Sequence, residues 1–198
     1  MKKIFALTLL MLALFVSACG AERSQPSADI NTLCRAYLHG DEAPLSKIGF
    51  TKESYKNEVV GEFAKALVSS SGIQFSDEQI SKLSAAMFGI FQRSTFETET
   101  VSENGDEATV KITMGVFNKG FSEENINTKM PADVTNLSED EIKDAFINAM
   151  VEIMNEMQIV KNEDIFIECE YNTEGKMWLP KDLSGFGMIV VKTMLDMD

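Results

Sequence analysis

The sequence predicts an α+β fold in which an antiparallel β-sheet packs against helices. Three observations predict it: apolar residues at helical spacing fill the chain from about residue 29 to 93, alternating segments then flank an Asn-Gly turn, and a long helical pattern precedes a second alternating pair. Helices grouped around hairpins favour an antiparallel sheet with helices on one face.

Three helices are predicted before the sheet. The first runs from a cap at Asp29 to about His39, and Gly40 ends it. Thr51 is the predicted cap of the second helix. Ser76-Asp77-Glu78-Gln79 has the capping-box spacing at the start of the third.

Two predicted hairpins form the sheet. Residues 95–101 and 107–117 alternate in polarity around Asn104-Gly105, and Asn-Gly is the strongest short hairpin signal. Residues 165–171 form a third strand, and residues 176–179 form a last short one.

The remaining segments are helical or irregular. Residues 118–136 are predicted to hold a further short strand and a loop around Pro131. Ser138-Glu139-Asp140-Glu141 is another capping box and opens a helix with apolar residues from Ile142 to Met157. The tail from Leu183 to Leu195 is predicted to be helical.

The N-terminus has the pattern of a signal peptide. Lys2 and Lys3 precede an apolar run over residues 4–16 that is shorter than the roughly 20 residues a spanning helix needs. The next residues, Val16-Ser17-Ala18-Cys19, resemble the lipobox of bacterial lipoproteins. The resemblance implies that the Cys19 sulfur receives a diacylglyceryl group, which makes Cys19 the lipidation site.

This assignment divides the chain into three parts. Residues 1–18 are the lipoprotein signal peptide, residues 19–28 are the lipidated cysteine and a flexible tether, and residues 29–198 are a single α+β domain. Two acyl chains give stable anchoring. We therefore expect localisation at the cell membrane, lipid-anchored, on its extracytoplasmic face.

Net charge argues against nucleic acid as a partner. The chain carries a net charge of −13, and loss of the two leader lysines leaves −15 on the mature form. Phosphate backbones and anionic headgroups repel such a chain. The expected partners are the membrane through Cys19, a protein or another envelope component, and, as an alternative, a small apolar ligand.

Two short segments carry a resemblance to a family. The first segment is Tyr37-Leu38-His39-Gly40-Asp41 together with Leu45–Phe50, and it resembles the N-terminal motif of uncharacterised bacterial lipoproteins. The second, Glu174–Leu179, is similar to the last strand of the same proteins. Those lipoproteins often have cystatin-like or NTF2-like domains. The resemblance covers residues 29–198 and implies a curved antiparallel sheet, and it provides no catalytic residues to carry over.

No constellation of catalytic or metal-ligating residues is recognised in the sequence. His39 is the sole histidine, so a zinc site is not expected, and its neighbour Asp41 offers at most an acid/base pair. No cofactor is predicted. Acidic clusters occur at Glu123-Glu124, Glu139-Asp140-Glu141 and Glu163-Asp164. Their pattern is typical of solvated surface, with weak cation binding near Glu123 as the alternative.

Cys34 and Cys169 form an even pair once Cys19 is assigned to lipid. Helical spacing places Cys34, and strand alternation places Cys169, on faces that point toward the same core. Two alternatives follow: a disulfide between them, or two separate buried thiols that behave as small apolar residues.

A ligand pocket is the alternative to a filled core. NTF2-like domains often hold a pocket between sheet and helices, and methionine and aromatic side chains suit apolar ligands. Its predicted lining is Tyr171 and Trp178 on neighbouring strands, with Met114 and Met150.

Three classes of function remain. The first is a non-catalytic binding or interaction module, and the second is a carrier or sensor of a small apolar ligand. The third, an enzyme, is disfavoured by the residues present. A filled core favours the first class, and an enclosed cavity with converging polar groups favours the second.

Overall fold

The structure, a computed structural model, describes residues 23–47, 51–69, 72–118 and 120–197. The predicted signal peptide and Cys19 lie outside the described residues. The helices are α1 Pro26–Cys34, α2 Glu42–Lys47, α3 Lys52–Tyr55, α4 Gly61–Ser69, α5 Asp77–Arg93, α6 Glu123–Lys129, α7 Glu139–Glu156 and α8 Leu183–Met194. Helices α1 and α3 continue as π-helical turns over Arg35–His39 and Lys56–Val60.

Four antiparallel strands form one open sheet in chain order. They are β1 Phe96–Asn104, β2 Glu107–Phe117, β3 Ile159–Asn172 and β4 Met177–Pro180. Thr98 faces Ile112 across β1 and β2, and Ala108 faces Cys169 across β2 and β3. With helices packed on one face of this sheet, the predicted α+β fold is confirmed.

The core lies between the inner face of the sheet and the helices. Helices α1 and α8 pack directly on the strands, and α5 and α7 pack on each other. The inner face is built from alternate residues of β2 and β3, which are Ala108, Val110, Ile112, Met114, Ile167 and Cys169. Among the described residues, no helix has both the length and the apolar character needed to cross a bilayer.

The predicted helix starts are confirmed where a capping box marks them. The Gln79 amide donates to Ser76 Oγ, and the Ser76 amide donates in return to Gln79 Oε1. Ser138 and Glu141 make the same reciprocal pair at the start of α7. These local hydrogen bonds satisfy amides that lack partners within the helix.

Helix α1 starts earlier than predicted, at Pro26 rather than after Asp29. A proline is well suited to the first turn of a helix, where no intrahelical amide bond is lost. The Asp29 carboxylate therefore does not cap α1 but reaches strand β4. The helix ends at Gly40 as predicted, with a φ of 60° that glycine adopts readily.

Two other segments differ from the prediction. The prediction of a further strand within residues 118–136 is wrong for the described part of this segment, which contains helix α6. Ser122 Oγ caps this helix by accepting a hydrogen bond from the Asn125 amide. Strand β3 starts at Ile159 rather than residue 165. Its first half is mostly polar and exposed and shows no alternation of apolar and polar residues. It is nevertheless a strand, because it pairs with the far half of β2.

Candidate functional site

The four predicted pocket residues lie in the packed interior or at its edge. Trp178 and Met114 are 0% exposed, and Met150 is also buried. Tyr171 is half-buried and meets Trp178 edge-on at 5.4 Å between ring centroids. The structure thus brings Tyr171 and Trp178 together, and all four contribute to one continuous core.

The N-terminal residues of the described chain are held against this aromatic pair. The Arg23 guanidinium lies 4.1 Å from the Tyr171 ring centroid and 4.3 Å from that of Trp178. It also pairs with the Asp106 carboxylate at 3.2 Å. A cation over two aromatic faces is attracted by both ring quadrupoles, which favours this position.

Hydrogen bonds complete the arrangement. The Trp178 indole donates to the Ser24 carbonyl at 2.9 Å, and the Trp178 amide donates to Asp29 Oδ2 at 2.8 Å. Ser24 Oγ donates to the same carboxylate oxygen. We call the set Arg23, Ser24, Asp29, Asp106, Tyr171 and Trp178 the N-terminal clamp.

The opposite face of the sheet is exposed to solvent, and no helix of the described chain packs on it. We call it the outer sheet face, formed by Glu97, Glu99, Lys111, Thr113, Asp164, Phe166 and Glu168. Phe166 is 61% exposed near its centre, next to Lys111 on the paired strand. An exposed aromatic ring surrounded by charge is a common feature of protein interaction surfaces.

Polar contacts order the side chains of this face. Lys111 Nζ pairs with Glu99 at 2.6 Å, and this hydrogen bond raises the pKa of the lysine. Thr113 Oγ1 donates to Asp164 Oδ1 at 2.6 Å. Acids outnumber bases among the residues of the outer sheet face, with Glu97, Glu99, Asp164 and Glu168 against Lys111. The sequence contained a signal for this face, because Phe166 alternates with the buried residues of β3.

The structure separates His39 from Asp41. His39 Nε2 lies 3.0 Å from the Ser94 carbonyl oxygen, and its ring packs on Phe96. Asp41 instead pairs with Arg35 at 2.6 Å. The acid/base pair that their spacing offered is therefore not formed, because the two side chains have separate partners.

The acidic clusters do not converge on a cation site. Among the described residues, no three histidine, cysteine or acidic side chains are grouped closely enough to hold a metal ion. Glu123 and Glu124 lie in the first turn of the short helix α6, beside a shallow open depression. Its lining is Ser122, Glu123, Glu124, Asn127 and Thr128.

Cys34 and Cys169 are both buried and free in the structure. Cys169 Sγ donates to the Ile167 carbonyl. The two thiols are separate in the structure, and alkylation tests which of the two predicted alternatives the protein has. Burial raises the pKa of each thiol from 9.0 to about 12, with the Glu168 carboxylate adding to the effect at Cys169.

We expect both thiols to resist alkylation by iodoacetamide in the native protein at pH 8 and to react after unfolding without reductant, because the thiolate is the nucleophile. Peptide mass mapping measures this, and failure to react until reductant is added would reveal a disulfide. Since both pKa values are raised on folding, the free energy of unfolding is expected to fall as pH rises from 9.0 to about 12.

The fold places the chain in the class of α+β proteins with an open four-stranded antiparallel sheet and helices on one face. Within that class it is similar to the crystal structure of ycdA, a candidate lipoprotein from Bacillus subtilis subsp. subtilis strain 168, with a TM-score of 0.65 and 16% sequence identity. The match covers 86% of this chain and 55% of that chain, so this chain spans about half the length of ycdA. No family model and no curated protein sequence matches the chain.

Proposed function

We propose that this protein is a lipid-anchored, non-catalytic binding module on the extracytoplasmic face of the cell membrane, attached through a diacylglyceryl group on Cys19. The lipobox-like residues Val16–Cys19 support the anchor. The shared fold with ycdA, itself a candidate lipoprotein, is consistent with it.

One observation carries the binding role, namely the exposure of Phe166 on a charged sheet face. An aromatic ring exposed to 61% gains free energy when a partner covers it. Glu97, Glu99, Asp164 and Glu168 on the same face favour a partner that brings basic side chains. A protein with an apolar contact ringed by lysine or arginine has the complementary chemistry.

The alternative, a carrier of a small apolar ligand, has weaker support. Its predicted lining residues Trp178, Met114 and Met150 are buried against core neighbours. A filled core favours the binding module. The cystatin-like or NTF2-like resemblance stays a prediction.

The non-catalytic role has support from the polar groups as well. The ring of His39 contacts a backbone carbonyl, and Asp41 forms an ion pair with Arg35. Neither group is placed to exchange a proton with the other.

Metabolic labelling with an alkyne fatty acid tests the anchor. We expect the wild-type chain to incorporate the label and to fractionate with membranes, and Cys19→Ser to lose both properties because a hydroxyl does not accept the lipid. Cys34→Ser serves as the matched control and should keep the label. An unlabelled wild-type chain would contradict the proposal.

Site-specific photo-crosslinking tests the outer sheet face. A benzophenone amino acid at position 166 should give a defined adduct in cells, whereas the same group at the exposed loop residue Val134 should not. Charge reversal by Glu99→Lys with Glu168→Lys should remove the adduct. Equal adducts from both positions, or no adduct at position 166, would rule this face out as the binding surface. An adduct unaffected by charge reversal would contradict a partner with basic side chains.

A further inference from the structure

We propose that the N-terminal clamp orients the domain on the membrane, so that one end of the sheet faces the lipid headgroups. This end, which we call the hairpin end, consists of the β1–β2 and β3–β4 turns at residues 104–107 and 172–177. The proposal rests on the anchor at Cys19 in the proposed function. It adds a fixed orientation of the domain relative to the membrane, which a lipid anchor alone does not provide.

The clamp shortens the free tether. A tether over residues 19–28 would allow the domain to rotate freely, at a reach of about 30 Å. Arg23 is held by Tyr171, Trp178 and Asp106, and only four residue steps separate it from Cys19 in the sequence. Fully extended, they reach at most about 14 Å. The attachment point of the folded domain is therefore close to the lipid.

The clamp lies at the hairpin end. Asn104 pairs with Glu107 and Asn172 pairs with Met177, so both turns close on the same side of the sheet. The Tyr171 amide donates to the Asp106 carbonyl at 2.9 Å and joins the two turns. Strand β3 begins at the far end of the sheet, and Val160 near its start lies about 36 Å from Tyr171 along the strand.

The short tether, rather than headgroup attraction, sets this orientation. The hairpin end carries Glu103, Asp106, Glu107 and Glu174, which anionic headgroups repel. The exposed apolar residues Met188 and Ile189 of α8 are an alternative membrane contact. However, α8 runs toward the far end of the sheet, where Asp196 pairs with Lys161 at 3.2 Å. The tether keeps that end away from the lipid.

The only tryptophan of the chain, Trp178, lies in the clamp and can serve as an intrinsic donor. The experiment uses the lipidated full chain in vesicles that contain a dansyl-labelled phosphatidylethanolamine as acceptor. The reference variant, Val160→Trp, keeps Trp178 and adds a second donor at an exposed position at the far end. Because about 36 Å separates the two positions, the added donor transfers little energy, and we expect the transferred fraction of the total tryptophan emission to fall to about half that of the wild-type chain, with or without anionic lipid.

Two tether variants retain Trp178 and make the test independent of the reference variant. A flexible Gly-Ser insertion of about ten residues between Glu22 and Arg23 should lower the transfer, because it lengthens the tether. Arg23→Ala should also lower it, whereas Arg35→Ala, which removes an exposed ion pair elsewhere, should not.

The outcomes separate the two proposals. A chain without fatty-acid label overturns the anchor and, with it, the orientation. A labelled chain whose transferred fraction is unchanged by the added donor at position 160, or unchanged by both the insertion and Arg23→Ala, overturns the orientation while the anchor stands.

Discussion

Replacing Trp178 with alanine is expected to lower the free energy of unfolding by about 4 kcal/mol. The indole is fully buried, so its removal leaves a large cavity between β4 and α1. The substitution also removes the hydrogen bond to the Ser24 carbonyl and one of the two rings beneath Arg23. It therefore loosens the core and the N-terminal clamp together.

Denaturant unfolding followed by far-ultraviolet circular dichroism measures this loss. Phe166→Ala is the matched control, because it removes an aromatic side chain of β3 that is 61% exposed. We expect it to change stability by less than about 0.5 kcal/mol. Similar losses for both variants would mean that Trp178 is not the buried centre of this region.

Replacing Arg93 with alanine is expected to cost about 2 kcal/mol. Helix α7 has no basic residue in its own last turn, and its final carbonyls lack helical partners. Arg93, the last residue of α5, donates to the carbonyls of Met154 at 2.6 Å, Asn155 at 3.3 Å and Met157 at 2.9 Å. A cation at a helix C-terminus also favours the helix dipole.

Arg35→Ala is the matched control for this prediction. Its ion pair with Asp41 is largely exposed, and such pairs contribute little, so a change below about 1 kcal/mol is expected. Arg93→Lys should recover only part of the loss, because an ammonium group cannot donate in the geometry of the guanidinium fork. Full recovery by lysine would indicate that charge alone stabilises the end of α7.

Features determined by neighbouring residues could be predicted from the sequence. The capping boxes at Ser76 and Ser138 and the Asn104-Gly105 turn each depend on a few adjacent residues, and all three are present in the structure. Alternation also predicted which face of β3 is buried. The exposure of Phe166 on the outer sheet face follows from that alternation.

Features determined by distant residues could not be predicted in this way. Asp29 looked like a helix cap because its usual partners are nearby amides, but its carboxylate accepts from the Trp178 amide. The polar first half of β3 shows no alternation of its own and is a strand because β2 pairs with it. Arg23 was predicted to be part of a polar tether, since no local pattern indicates that two aromatic rings lie beneath it.

The clamp joins residues that are far apart in the sequence, since 149 positions separate Asp29 from Trp178 and 154 separate Ser24 from the same indole. Synthesis starts at the N-terminus, so Arg23 and Ser24 are made long before the strand that holds them. In a chain truncated before β4, Arg23 and Ser24 would lack their contacts with Trp178, even if the β1–β2 hairpin and the earlier helices had formed. Attachment of the leading segment is thus a sign that the chain has been made through β4.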